Sequence, residues 1–206
     1  MNESGHRLLW PTVILAFALW FVTFSLPGAG FWIKISLSAG ILAALALRAG
    51  TAADNRLAFD RAAVFQGLLS AALLYGIFWF GNEISWLIFP FAPQQVAAIY
   101  AKGAGFPLPV VFLLLLLVTG PCEEIYWRGF LQRNLMLRYG EIRGWILATA
   151  IYAGVHILSF NLMLFGAAAV GGAFWGLLYM KLKRLDTLII CHSVWSAFIF
   201  AVLPLT

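Results

Sequence analysis

Five ionisable side chains stand inside long apolar runs of this chain: Glu123, Glu124 and Arg128 in one run, His156 in the next and His192 in the last. A charge at the centre of a bilayer costs at least about 2.5 to 3.5 kcal/mol on insertion scales, so each such residue is a functional candidate. In Pro121-Cys122-Glu123-Glu124-Ile125-Tyr126-Trp127-Arg128, Pro121 can open a helical turn, and Glu124 and Arg128 then share a face at i,i+4 as a mutually neutralising pair. Glu123 is rotated by about 100° from that face, which leaves its carboxylate free to meet a neighbouring helix. Tyr152 with His156, and His192 with Ser196, repeat the i,i+4 spacing, so each histidine has a hydrogen-bonding companion on its own face. A carboxylate and a histidine can hold and deprotonate a water, while a second histidine with a hydroxyl can donate to the oxygen of an attacked carbonyl. That equipment suits amide hydrolysis.

The elements that carry these residues must bring them level. The helices bearing Glu123 and His156 reverse at Tyr139-Gly140, and each residue lies 16 or 17 positions from that turn. An antiparallel hairpin therefore sets them at one depth, and His192, eight residues past Arg184, lies roughly 12 Å below the same surface at about 1.5 Å per residue.

Composition requires a membrane around them. Of 206 residues, 63% are hydrophobic and 10% charged, with a mean hydropathy of +0.94. A soluble domain is about a quarter charged, so these few polar residues are too sparse to coat a globule. The expected fold is an all-α integral membrane protein, one transmembrane domain over 1–206. Scanning for runs of about 20 apolar residues gives about seven helices, near 8–26, 31–50, 62–81, 107–130, 143–160, 162–180 and 185–205. The run from Leu8 to Leu26, with Gly28, Ala29 and Gly30 after it, has signal-peptide features. Its apolar stretch exceeds the roughly 7 to 15 residues of a signal core, and it reads as a span. Residues 82–101, with Asn82, Glu83, Pro90 and Pro93, read as an interfacial or re-entrant segment, with Glu83 an interfacial acid.

Arg7, then Arg48, Arg56 and Arg61, then Arg133, Arg138 and Arg143, then Lys181, Lys183 and Arg184 fall at alternate ends of the spans, with Lys34 and Lys102 opposite. The excess of Lys and Arg belongs in the cytoplasm, so the N-terminus is expected there, the C-terminus outside, and the active site nearer the cytoplasmic side of a bacterial or archaeal cell membrane. The 13 Lys and Arg form no basic stripe beside stacking aromatics, so no nucleic-acid partner is expected. Cys122 and Cys191 lack CxxC spacing and read as two buried thiols. Tyr126, Trp127, Trp145 and Trp175 read as packing residues.

Glu123-Glu124 to Arg128, Tyr152 to His156 and His192 to Ser196 resemble the three motifs of the CPBP family, the CAAX-prenyl-protease and bacteriocin-processing intramembrane peptidases. Those motifs read Glu-Glu-x-x-x-Arg, Phe-x-x-x-His and His-x-x-x-Asn; here Tyr152 replaces the Phe and Ser196 the Asn. The resemblance covers about 107–200, the catalytic core. It implies an endopeptidase cutting near the C-terminus of a protein or peptide substrate that is lipid-modified or membrane-anchored there, with membrane lipid the surrounding partner. In that reading Glu123 is the general base on a water also held by His156. His192 and Ser196 form the oxyanion side, and Glu124, Arg128 and Tyr152 support them. Without a cofactor, the family mechanism is metal-free. A zinc held by Glu123, His156 and His192 is the alternative chemistry, with no HExxH to strengthen it. Cys122 beside Arg128 is a weaker nucleophile candidate. Outside catalysis, the same groups would suit a small proton-coupled carrier or a non-catalytic family member that binds a peptide in immunity.

Overall fold

The computed structural model describes residues 3–28, 30–50 and 57–205, with side chains from residue 7 onward; Ala29 and Arg56 lie outside the described residues. Its regular elements are eight helices: α1 Glu3–Ser25, α2 Phe31–Arg48, α3 Arg61–Ile88, α4 Ala92–Ala101, α5 Leu108–Tyr139, α6 Glu141–His156, α7 Leu162–Leu182 and α8 Leu185–Ala201. By length and apolar composition six can cross a membrane, namely Arg7–Ser25 of α1, α2, α3, α5, α6 extended to Ser159, and α7, while the 17-residue α8 is a shorter apolar helix. Exposed side chains such as Ile14, Phe65, Leu87 and Phe160 are large and apolar. Such an exterior needs lipid as its solvent. The chain is an all-α membrane protein.

Two spans are longer than the sequence suggested. Asn82 and Glu83 do not break α3: Asn82 and Ser85 are buried in it, and Ser85 Oγ donates to the Asn82 carbonyl at 2.8 Å. The remainder of the interfacial or re-entrant stretch folds as α4, which is tied to its neighbours by side chains. Asn161 Nδ2 donates to the Gln95 carbonyl at 2.8 Å, and Gln95 Oε1 accepts from Met163 N–H at 3.0 Å. Tyr100 Oη donates to the Ile199 carbonyl at 3.1 Å and accepts from Leu205 N–H at 2.9 Å. These bonds fix α4 against the start of α7 and the end of α8.

The other long element, α5, is one 32-residue span whose register changes twice. Residues Leu115–Thr119 and Ile125–Gln132 are π-helical and flank a single α-helical stretch, Gly120–Glu124. Pro121 has no N–H to give its turn, and Gly120 N–H reaches back five residues to the Leu115 carbonyl. Local π-bulges are frequent at functional sites, and here the stretch between them carries both glutamates.

The chain reverses between α5 and α6 at Gly140, whose φ of +86° few other residues adopt. Four residues later the helices nearly touch, since a Cβ on Gly144 would come within 2.4 Å of the backbone of Met136. Gly144→Ala is therefore expected to destabilise the hairpin by about 1–3 kcal/mol, measured as a lowered melting temperature in detergent. Beyond the hairpin, Asp186 at the start of α8 accepts from Ala58 and Phe59 N–H, both at 3.0 Å, and from Arg184, fastening the α2–α3 connection to the last helix.

Candidate active site

The hairpin at Gly140 sets α6 alongside α5. Tyr152 Oη donates to Glu123 Oε2 at 3.0 Å, so the free carboxylate does face the neighbouring helix. Glu124 turns the other way and takes Arg128 Nη1 at 2.7 Å on Oε1. The same Oε1 lies 2.6 Å from Nδ1 of His192, while Oε2 is buried without a partner. One buried carboxylate oxygen thus joins a cation on α5 to a histidine on α8.

Arg128 is also held by rings, its guanidinium 4.7 Å from the Tyr152 centroid and 5.1 Å from that of Trp175. Trp175 in turn stacks on His192 at 3.8 Å and 17°. Because a carboxylate only accepts, Nδ1 of His192 carries a proton and the tautomer of the neutral ring is fixed. Nε2 is left to the cavity the residue lines. It accepts when the ring holds one proton and donates when it holds two.

His156 is built differently. Its Nδ1 lies 2.7 Å from the Tyr152 carbonyl, so that nitrogen donates, and Nε2 accepts from Trp20 Nε1 on α1 at 3.3 Å. The second bond is long for N–H donation. Nε2 is thus the acceptor of this ring, able to take a hydrogen bond from a water in place of the indole. Trp20 is fully buried, edge-on to Trp127 at 5.5 Å.

Glu123, Tyr152, His156, His192 and Ser196 all line one cavity of about 580 Å³. The Ser196 hydroxyl has no hydrogen-bond partner among the described residues and borders this space. Phe24, Phe31, Phe80, Phe89 and Leu162 line it as well, so the cavity extends from the site toward the bundle end opposite Arg48, Gly140 and Lys183.

All seven residues singled out from sequence thus lie in one connected network or on its cavity. Two expectations need correction, and one residue was missed. Trp175 is more than packing, since it stacks on His192 and lines the cavity. Cys122 is half-buried, because it sits on the α5 face turned away from the Glu124 cluster, whereas Cys191 is buried. Trp20 went unnoticed, since a tryptophan in an apolar run carries no spacing signal. Among the described residues no three His, Cys, Asp or Glu side chains group closely enough to hold a metal ion.

A polytopic helical protein with carboxylates and histidines gathered on an internal cavity defines a class, the membrane proteins with an intramembrane acid–histidine centre. Residues 103–198 match the Type II CAAX prenyl endopeptidase Rce1-like family model. The match is consistent with the CPBP-type resemblance carried by the three motifs, and it supports a CAAX-type intramembrane protease acting on a protein or peptide. No curated protein and no solved structure matches the chain.

Proposed function

We propose that the chain cuts its substrate near the C-terminus by a water that Glu123 deprotonates, without a metal. The observation that carries this reading is the shared cavity, where an acid oriented by Tyr152, an outward-facing His192 and an unpartnered Ser196 hydroxyl surround one space. Glu123 takes the proton of a water lying between it and His156. The hydroxide adds to the carbonyl, and the oxyanion receives hydrogen bonds from Ser196 and from His192 when its ring holds two protons. Glu123 then returns the proton to the leaving amine. Glu124 and Arg128 do not touch the reacting atoms in this scheme and act by holding His192. A substrate lipid-modified or membrane-anchored near its C-terminus suits a cavity walled largely by apolar side chains.

The N-terminus is cytoplasmic in this reading, because Arg48, Arg61, Arg143 and Lys183 cluster at one end of the bundle. The cavity then reaches toward the external half. The cytoplasmic position expected from sequence rested on the eight-residue step from Arg184 to His192, which bears on the depth of one ring and not on the side from which the space opens.

Ser196 gives the test. Ser196→Ala is expected to lower kcat about 10²-fold, the usual loss for one oxyanion donor, while Ser196→Asn preserves or raises turnover by presenting an amide. Steady-state cleavage of C-terminal peptides in liposomes measures both. Equal turnover in wild type and Ser196→Ala would remove the hydroxyl from the mechanism.

A further inference from the structure

Lys102 follows the last residue of α4 and lines the same cavity. Among the described residues it is the only Lys or Arg that does so, and Glu123 is the only Asp or Glu. Its ammonium lies over the rings of Phe24 and Phe31, at 5.5 and 5.8 Å, with no carboxylate in salt-bridge contact among the described residues. The nearby Lys34 is already engaged, donating to the Leu26 carbonyl at 2.6 Å. Burial first, and the Lys34 charge second, lower the Lys102 pKa. An anion beside it would offset both effects.

We propose that Lys102 receives the C-terminal carboxylate of the substrate peptide and so sets how far from the chain end the cut falls; this rests on the peptidase reading above. Charge complementarity and continuity with the catalytic residues select this occupant. Phe24, 5.5 Å from the ammonium, has its ring centroid 6.0 Å from that of His156, so Lys102 and the catalytic end are close neighbours along the cavity wall. About three extended residues, at roughly 3.3 to 3.6 Å each, bridge those two steps. The hydrogen bonds of Tyr100 to α8 fix the segment that carries the lysine. Lys102 is a specificity-determining residue and takes no part in bond breaking.

Two fluorescent pools of apolar ten-residue peptides, identical except for a free carboxylate or an amide at the C-terminus, test this. Binding is read by anisotropy on Glu123→Gln protein in phosphatidylcholine nanodiscs. The acid pool is expected to bind at least about tenfold more tightly than the amide pool. Adding Lys102→Gln should abolish the ratio by weakening the acid pool alone, and Lys102→Arg should keep it. A ratio near one, binding of neither pool, or equal weakening of both pools by Lys102→Gln would overturn the proposal; the last would assign the ammonium to lipid phosphate or to folding. Cleavage of the same pools by the wild type separates the two claims. Acid-selective binding without cleavage sinks the peptidase reading and leaves the anchor, whereas cleavage indifferent to the terminus does the reverse.

Discussion

Glu123→Gln is expected to lower kcat for peptide cleavage by about 10²- to 10⁴-fold, the range a positioned general base contributes. The substitution is close to isosteric, and the amide oxygen can still accept the hydrogen bond that Tyr152 Oη gives to Oε2 at 3.0 Å. The fold and the cavity are therefore retained, and what is lost is the ability to take a proton. Binding of an uncleaved peptide should change little, so the loss falls on kcat and not on KM. Single-turnover cleavage with enzyme in excess measures the chemical step alone. A variant within about threefold of wild type would transfer the base to His192, whose Nδ1 is held by Glu124 and whose Nε2 faces the cavity.

The second large effect belongs to Arg128. Its side chain is 2% exposed and that of Glu124 is fully buried, so Arg128→Met strands a carboxylate with His192 as its remaining partner. Removing one member of a buried ion pair costs about 3–5 kcal/mol, whereas replacing both by neutral groups of similar size is often tolerated. Arg128→Met should thus unfold at a clearly lower temperature in detergent, and Arg128→Met/Glu124→Gln should recover much of that stability. Activity should not return in the double variant, because a glutamine at position 124 no longer anchors Nδ1 of His192 as a carboxylate does. A single variant that melts with the wild type would mean that the pair is solvated and that Tyr152 and Trp175 do not enclose it.

Much of this site could be read from sequence because it is built on local geometry. The i,i+4 spacing of Glu124 and Arg128 became a 2.7 Å ion pair, and the hairpin at Gly140 set α6 beside α5, where Tyr152, one turn before His156, reaches Glu123. Such relations need only the helical rise and one tight turn. The bond from Glu124 to His192 was not legible, since it depends on how α8 packs against α5 over 68 residues of separation. Trp20 was hidden for the same reason, 136 residues from the histidine it contacts. In α3, Asn82 and Glu83 suggested a break that the helix does not show: Asn82 turns inward to the cavity and Glu83 is exposed. A polar residue in an apolar helix marks a wet interior as readily as an interface.

Cleavage of a C-terminal peptide pool by purified wild-type protein in liposomes, run in ¹⁸O water with and without a chelator and read by mass spectrometry, tests the central claim most directly. A glutamate-activated water predicts products cut near the C-terminus, with label in the new carboxylate and the same rate under chelation. No cleavage in any peptide would contradict the peptidase reading, and cleavage abolished by the chelator would contradict its metal-free chemistry.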